Sequence, residues 1–369
     1  SYNQVNGVWS HYNYEMVTKL LRGEWGYKGL VMTDWWMQKS ASPEFPALRD
    51  QAYRVRAGVD VLMPGGKRAG KKAPDGTLLE TLGQPEGITR GEMQAVAMHV
   101  LRFILQSRKL AAERYENPLK VMSFNLLCAG DGENEWHNRV NPVTHAIKNA
   151  APDVFGVQEA HNAWMEALLP KLPNHDYVGV GRDNGKKKGE YAAIFYRKNK
   201  FTKLDEGHFW LSENPEKPGL GWDAACIRIC SWVKLEEKAS GKQFVFMNTH
   251  LDHIGQLAMK NGAALIAKKA NEIAGGLPVI LTGDFNVTPD SEPYHEIVNG
   301  GFADARTKAY ATDVSNTYHG YTSGAQGISL IDYIFVKGEI KVAAVRVDRR
   351  KNRGRFPSDH FPVIAEISL

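Results

Sequence analysis

The apolar positions fall into short runs, and the runs change character near residue 117. Before it, Tyr14 to Trp25 has helical spacing, and Gly29-Leu30-Val31-Met32-Thr33-Asp34-Trp35 is a strand-like run closing on Asp-Trp. Gln51 to Ala57 returns to a helical period. Gly58-Val59-Asp60-Val61-Leu62-Met63-Pro64 is a second short strand, broken by Gly65-Gly66 and a basic loop that runs to Asp75. Thr89, with Glu92 three residues on, is a capping-box start for a helix reaching about Arg108. Strand, helix, strand, helix is the rhythm of a (β/α) barrel.

A polar join, Glu113 to Pro118, leads into a different pattern. Lys120-Val121-Met122-Ser123-Phe124-Asn125 alternates and ends on Asn125, and helical spacing follows from Arg139 to Ala150. Asp153 to Glu159 is a strand ending on Glu159, and Ala192 to Arg197 is another. Gln243 to His250 ends on a histidine, and Ala258 to Ala274 is helical. The apolar run Leu277 to Leu281 stops at Gly283-Asp284-Phe285-Asn286. Period-two geometry puts Asp284 and Asn286 on one face, while an Asx turn closing the strand is the ordinary alternative. Leu330 to Phe335 carries Asp332, and Ser358-Asp359-His360 precedes Phe361-Pro362-Val363. Two domains are expected, residues 1–115 and 117–369.

Composition narrows this only a little. The chain has 369 residues, 43% of them hydrophobic, enough for a sizeable core. Lys plus Arg number 46 against 41 Asp plus Glu, a formal charge of +5, which permits a polyanionic partner without demanding one. Cys128, Cys226 and Cys230 are an odd count without framework or zinc-type spacing, so neither a disulfide scaffold nor a structural zinc is expected. No apolar run approaches the ~20 residues of a membrane helix. A soluble monomer, cytoplasmic or secreted, is the expectation, and the opening at Ser1 inside a structured motif reads as a truncated amino end.

The chemistry lies in what ends the runs. Taken singly, Asn125, Glu159, His250, Asp332 and Asp359 each have an ordinary explanation as strand ends, solvated acids or turn caps. Together they put several carboxylates at strand ends, and carboxylates gathered in one place repel unless a cation neutralises them. Oxygen donors from Glu, Asp and Asn suit a hard divalent ion, Mg²⁺ with Mn²⁺ as the alternative, before Zn²⁺. A histidine oriented by a carboxylate can stabilise developing charge or protonate a leaving oxygen. Acid, amide, histidine and paired aspartate are the parts needed to hydrolyse a phosphoester.

The motifs Phe-Asn (124–125), Gln-Glu (158–159), Asn-Thr-His (248–250), Gly-Asp-Phe-Asn (283–286), Ile-Asp-Tyr-Ile-Phe (331–335) and Ser-Asp-His (358–360) resemble those of the endonuclease/exonuclease/phosphatase superfamily, in that order. The resemblance implies a DNase I-like four-layer α/β/β/α sandwich with active residues at one rim. It also implies Glu159 as main metal ligand with Asn125 beside it and Asp359 as a further ligand. Asp284 would orient or deprotonate water, with Asn286 steadying it. His360 would face the phosphate, oriented by Asp332, and His250 would be the second histidine. Arg228 is a candidate phosphate contact, with a strand salt bridge as its equal alternative. The implied substrate is a phosphoester: nucleic acid, nucleotide, phospholipid headgroup or sugar phosphate.

In the first segment, Ser-Tyr-Asn-x-Val-Asn-Gly, Leu-Arg-x-Glu-Trp-Gly-Tyr-x-Gly, Thr-Asp-Trp and Gly-Val-Asp-Val-Leu-Met-Pro resemble glycoside hydrolase family 3. That implies the last few βα units of an incomplete barrel, with Asp34 at the nucleophile position of a β-glucosidase-like enzyme. A retaining glycosidase needs a second flanking carboxyl, so this piece is expected to be inactive alone. A basic stretch, Arg349 to Arg355, stands just before Ser358 and reads as a surface loop or a polyanion-steering loop.

Overall fold

A computed structural model describes residues 3–35, 44–63, 77–105 and 118–369. In it the chain separates into two units, Ser1–Leu110 and Ala111–Leu369. The basic loop Gly65–Asp75, the reach of the third helix to Arg108 and the join at 113–117 lie outside the described residues.

In the first unit, β1 (Gln4–Val5) and β2 (Val8–Trp9) form a small hairpin, and Glu15–Glu24 is a π-helix where the spacing predicts a helix. β3 (Met32–Trp35) and β4 (Val61–Met63) pair in parallel, with the helix Gln51–Ala57 between them in sequence. The helix Arg90–Leu105 opens on the expected capping box: the Thr89 N–H donates to Glu92 Oε2 (2.8 Å), and the Glu92 N–H donates to Thr89 Oγ1 (3.1 Å). A small core gathers Tyr12, Leu48, Ala52, Tyr53 and Ile88. Asp60 ties the unit together, accepting from Arg22 (2.7 Å) and the Val31 N–H (2.8 Å), with His99 Nδ1 at 2.8 Å. Among the described residues this unit has two parallel strands, where a closed barrel needs eight.

The second unit is built from β5 (Leu119–Asn125), β6 (Val154–Ala160), β7 (His175–Val178), β8 (Tyr191–Arg197), β9 (Phe201–Trp210), β10 (Ile229–Glu237), β11 (Gln243–His250), β12 (Val279–Asp284), β13 (Ala303–Asp304), β14 (Asp332–Lys337), β15 (Lys341–Val347) and β16 (Val363–Ser368). One sheet runs β15-β16-β5-β6-β8-β7 and the other β13-β14-β12-β11-β10-β9. Both are mixed: β5 and β6 are parallel, as are β11 and β12, and the remaining neighbours are antiparallel.

Alternation sorts the strand residues into layers. Val121, Val154, Ile194, Val233, Phe246 and Ile280 face inward and fill the space between the sheets. Met122, Phe124 and Phe155 face outward, against Val143 and Ile147 of the helix Trp136–Ala150 and Trp164 of the helix Asn162–Leu168. Met247, Leu281 and Phe335 do the same on the other side, against Met259, Ala263 and Ile266 of the helix Gln256–Ala274. The result is the expected α/β/β/α sandwich, each fully buried aliphatic side chain contributing roughly 1.5–3 kcal/mol.

One polar cluster interrupts the apolar interlayer. Asn248 on β11 donates across to the carbonyls of Val157 and Ala193 in the other sheet, both at 2.9 Å. Its Oδ1 accepts from Gln158 (2.7 Å) and Thr282 (3.0 Å). Every member is buried, and the cross-links fix the two sheets in one mutual register. No helix among the described residues is long and apolar enough to cross a membrane.

Candidate active site

The site forms where the inward-facing rows run out of apolar residues. On β5 the inner row ends at Asn125, on β11 at His250 and on β12 at Asp284, and β14 begins its row at Asp332. Strand register sets three of these side by side: His250 opposite Asp284, and Asp284 opposite Asp332. Hydrogen-bonded sheets hold them, so the side chains are positioned before any ligand arrives.

Two members arrive by leaving the regular strand. Glu159 follows inward-facing Gln158, and strict alternation would turn it outward. The pairing of β6 with β8 shifts register between Val157 and Ala160, and Glu159 takes φ +58°, which brings its carboxylate to the rim. Asn286 corrects the period-two expectation: β12 stops at Asp284 and Asn286 sits at φ +53°. Asp284 Oδ1 accepts the Asn286 N–H at 3.0 Å, an Asx turn. That turn throws the Asn286 amide onto the Leu251 carbonyl and His250 Nε2, each at 3.1 Å. The turn and the converging amide are therefore one feature.

The contacts are direct. Asn125 Nδ2 donates to Glu159 Oε1 and to Asp284 Oδ2, both at 2.9 Å, while its Oδ1 accepts the Leu127 N–H. Glu159 Oε2 accepts the Cys128 N–H at 2.9 Å. His360 Nδ1 lies 2.9 Å from Asp332 Oδ2, and its Nε2 lies 3.7 Å from Asp284 Oδ2. His250 Nε2 approaches the same Asp284 oxygen at 3.5 Å. Asp359 stands beside Ser358 (3.2 Å), whose hydroxyl also donates to the Asn125 carbonyl (2.7 Å).

Charge is distributed unevenly. Burial opposes the charge of Glu159, yet the Cys128 N–H, the Asn125 amide and the His360 charge hold its carboxyl below the usual range. Burial, and then the neighbouring Asp332, push Asp284 up to about 7. Burial alone would depress His360, but Asp332 and then Asp284 raise it to about 10. His250 is driven well below its ordinary value by burial and then by Arg228 and Arg182. Burial likewise raises Asp359.

Arg228 is buried, with Nε 3.6 Å from Asp252 Oδ1 and Nη2 3.2 Å from His253 Nδ1, so it is a buried ion pair whose field reaches His250. Asp34 lies half-buried in β3 of the first unit. Among the described residues, three groups have the donors for a metal ion: Glu159/His250/Asp284, Asp284/Asp332/His360 and Cys226/Asp252/His253. In the third, Asp252 is already committed to the backbone N–H groups of Ala225, Cys226, Ile254 and Gly255. At the rim, the half-buried carboxylate of Glu159 and the buried one of Asp284 face each other through one shared amide, and Asp332 Oδ1 is buried without a hydrogen-bond partner. An oxygen-rich set of this kind fits a hard divalent cation.

Sequence reasoning gave no chemical role to Arg182, Glu190, Cys128 and Arg139. Arg182 and Glu190 make a two-armed ion pair (2.7 and 2.9 Å), and Trp210, a packed indole, donates to the Arg182 carbonyl at 2.7 Å. The only signal was the pattern Gly181-Arg182-Asp183 followed by Gly189-Glu190, which carries no chemistry until the hairpin closes.

Residues 122–360 match the family model described as "Endonuclease/Exonuclease/phosphatase family". The solved mannosyl-6-phosphatase of Bacteroides thetaiotaomicron is 38% identical with a TM-score of 0.64, over 68% of this chain and all of that one. The 2',5'-phosphodiesterase 12 of Bos taurus is 29% identical over 226 residues, half of this chain and 36% of that protein. A beta-glucosidase of Ruminococcus albus is 29% identical over 136 residues, 37% of this chain and 14% of that enzyme. The chain thus spans well under two thirds of the length of these two curated relatives.

Proposed function

The chain belongs to the endonuclease/exonuclease/phosphatase family, and on that premise we propose that its second unit hydrolyses phosphoesters with a divalent cation, Mg²⁺ first and Mn²⁺ second. The observation that carries this reading is the position of Asp284 Oδ2: 2.9 Å from the Asn125 amide that also holds Glu159, 3.5 Å from His250 and 3.7 Å from His360. An acceptor for a water proton, a metal-type carboxylate and a proton donor meet at one oxygen.

Glu159 is the carboxylate assigned to the cation, with Asp284 facing it and Asp359 at its flank. When bound, the ion supplies positive charge against the phosphoryl oxygens. Asn125 turns its NH₂ toward the acids and its oxygen toward Leu127, so its role here is to hold Glu159 and Asp284 in place. Asp284 Oδ2 receives the proton of the attacking water. His360, protonated and fixed through Nδ1 by Asp332, presents Nε2–H to the phosphate and returns a proton to the leaving oxygen. Asn286, anchored on the Leu251 carbonyl, donates to His250 Nε2, so His250 acts neutral, as a brace for the water-facing amide.

Asp284→Ala and His360→Ala should each abolish cation-dependent hydrolysis of bis(p-nitrophenyl) phosphate while the circular dichroism spectrum stays native. Full turnover in both variants would end this assignment. The two phosphoesterase relatives are named for a sugar monophosphate and for 2',5'-linked phosphodiesters, so the same assay run on mono- and diesters ranks the substrate classes. For the first unit, two parallel strands among the described residues do not build a sugar pocket around Asp34. Aryl-glucoside turnover abolished by Asp34→Ala would restore the glycosidase reading.

A further inference from the structure

Asp332 opens β14 with its backbone turned away from the strand it faces. The Phe285 N–H donates to the Ile331 carbonyl at 2.9 Å, so the next pair, Asp284 opposite Asp332, is the antiparallel kind that exchanges no backbone hydrogen bonds. Such a pair brings its side chains closer together, and here those are two carboxylates. It also aims the Asp332 N–H and carbonyl at the other flank of β14. The strand on that flank is β13, and its pairing reaches only as far as Phe335. Asp332 is 1% exposed, so water does not satisfy the two groups either.

Two side chains take the place of the missing strand. The Asp332 carbonyl accepts from Arg306 Nη2 at 3.0 Å. The Asp332 N–H donates to Thr317 Oγ1 at 3.0 Å, and the Ile331 N–H donates to the same oxygen at 3.1 Å. A hydroxyl oxygen has two lone pairs, and both are used here. Thr317 is itself fully buried.

The same residue holds the segment that carries His360. The Thr317 carbonyl accepts the Phe361 N–H at 2.7 Å, and the Thr317 N–H donates to the Ser329 carbonyl at 2.8 Å. Tyr318 extends the contact: it makes an isolated antiparallel bridge with His360, and its half-buried ring lies 4.9 Å from the imidazole, centre to centre. Asp332 belongs to one sheet, while His360 leads into β16 of the other. The 2.9 Å contact from His360 Nδ1 to Asp332 Oδ2 therefore crosses between sheets, where no ladder sets its length. Thr317 is bonded to the backbone on both sides of it.

We propose that Thr317 is the positioning residue of the His360–Asp332 pair: its hydroxyl and its carbonyl fix the gap between the sheets where the imidazole must meet the phosphoester. The inference rests on the phosphoesterase reading and adds a residue to it. Buried as it is, Thr317 acts through its neighbours. It keeps the Nδ1 contact short and the ring aimed, so that Nε2–H reaches the leaving oxygen. Its loss should weigh most on esters whose leaving group departs poorly without a proton.

The test compares Thr317→Val, which keeps the shape and removes the acceptor, with Thr317→Ser, which keeps the oxygen. With chelator present and the histidines isotopically labelled, the wild type should show a low-field imidazole N–H resonance that His360→Gln removes. Thr317→Val should lose or shift that resonance, and Thr317→Ser should retain it. With the cation added, Thr317→Val should lower kcat about a hundred-fold for diphenyl phosphate but only about ten-fold for bis(p-nitrophenyl) phosphate, which has the better leaving group. KM should stay within about two-fold for both, and Thr317→Ser should restore both rates. Equal losses on the two esters, an unmoved resonance in Thr317→Val, a wild type without the resonance, or no rescue by Thr317→Ser would each overturn the positioning role. If Thr317→Val does not fold, Thr317→Cys against Thr317→Ser makes the same comparison, because both lack the γ-methyl and sulfur is the weaker acceptor. Loss of the resonance in Thr317→Val, with no turnover of either ester by the wild type, would sink the hydrolase reading and leave the positioning contact standing.

Discussion

Asp284 carries two demands that conflict. It must be ionised to accept a proton, yet burial and Asp332 raise its carboxyl from 3.8 to about 7. A carboxyl that holds its proton more tightly when folded contributes stability that is complete below its unfolded value and lost as the pH rises through its folded one. Stability of the metal-free protein should therefore decline between pH about 4 and about 7, by on the order of a few kcal/mol. His360, raised from 6.5 to about 10, adds a second decline from about 6.5 upward. Calorimetry in chelator should show the first decline, Asp284→Asn should flatten it, and Mg²⁺ should restore the melting temperature most above pH 7, because a cation binds the ionised acid. A flat wild-type profile between pH 4 and 7 would count against the buried-acid account. At this scale the fold brings together residues that the sequence singled out: Asn125, Glu159, His250, Asp284, Asn286, Asp332 and His360 all converge. The sequence could not show how Glu159 and Asn286 reach the rim, because a register shift and a positive φ leave no periodic trace. Arg139 looked like the start of a helix and proved to hold the loop that follows Asn125 and the one that leads to Asp359.

Elements carry the precision. The cross-sheet bonds of Asn248 depend on Gly156, where an added Cβ would come within 2.3 Å of both Asn248 Oδ1 and Thr282 Oγ1. Gly156→Ala should cost about 3 kcal/mol, near the upper end for overpacking a core, and lower turnover with it, since the sheets then shift against each other. Gly219→Ala, whose Cβ would meet nothing within 4 Å, is the matched control and should be silent in both thermal melts and kinetics. If the two substitutions behave alike, the register argument fails. Strands with an alternating or apolar run and a functional terminus, such as β5, β11 and β12, were legible from pattern. β9 was not, because it is an edge strand exposed along most of its length, and its polar run from Thr202 to His208 reads as a loop. The helix Gln51–Ala57 and the Thr89–Glu92 cap were legible too, because local spacing and capping suffice to define them.

For the whole molecule, the division into Ser1–Leu110 and Ala111–Leu369, with the family match inside the latter, puts all the proposed phosphoester chemistry in one unit. Residues 118–369 expressed alone should keep the cation-dependent turnover of the full chain, within about two-fold if the unit folds by itself. Loss of folding or activity on removing the first unit would mean that the two are energetically joined. Among the described residues, the first unit leaves Met98, Leu101, Phe103 and Ile104 of the helix Arg90–Leu105 exposed.

Strand β16 comes last among the strands in chain order, yet it lies inside its sheet, flanked by β15 and by β5, the first strand of the unit. A nascent chain still missing Val363–Ser368 has an open seam where its sandwich should be continuous, and His360 has just been made. The sheet of the unit therefore becomes continuous only when β16 seats between β15 and β5, which joins the two ends of the unit.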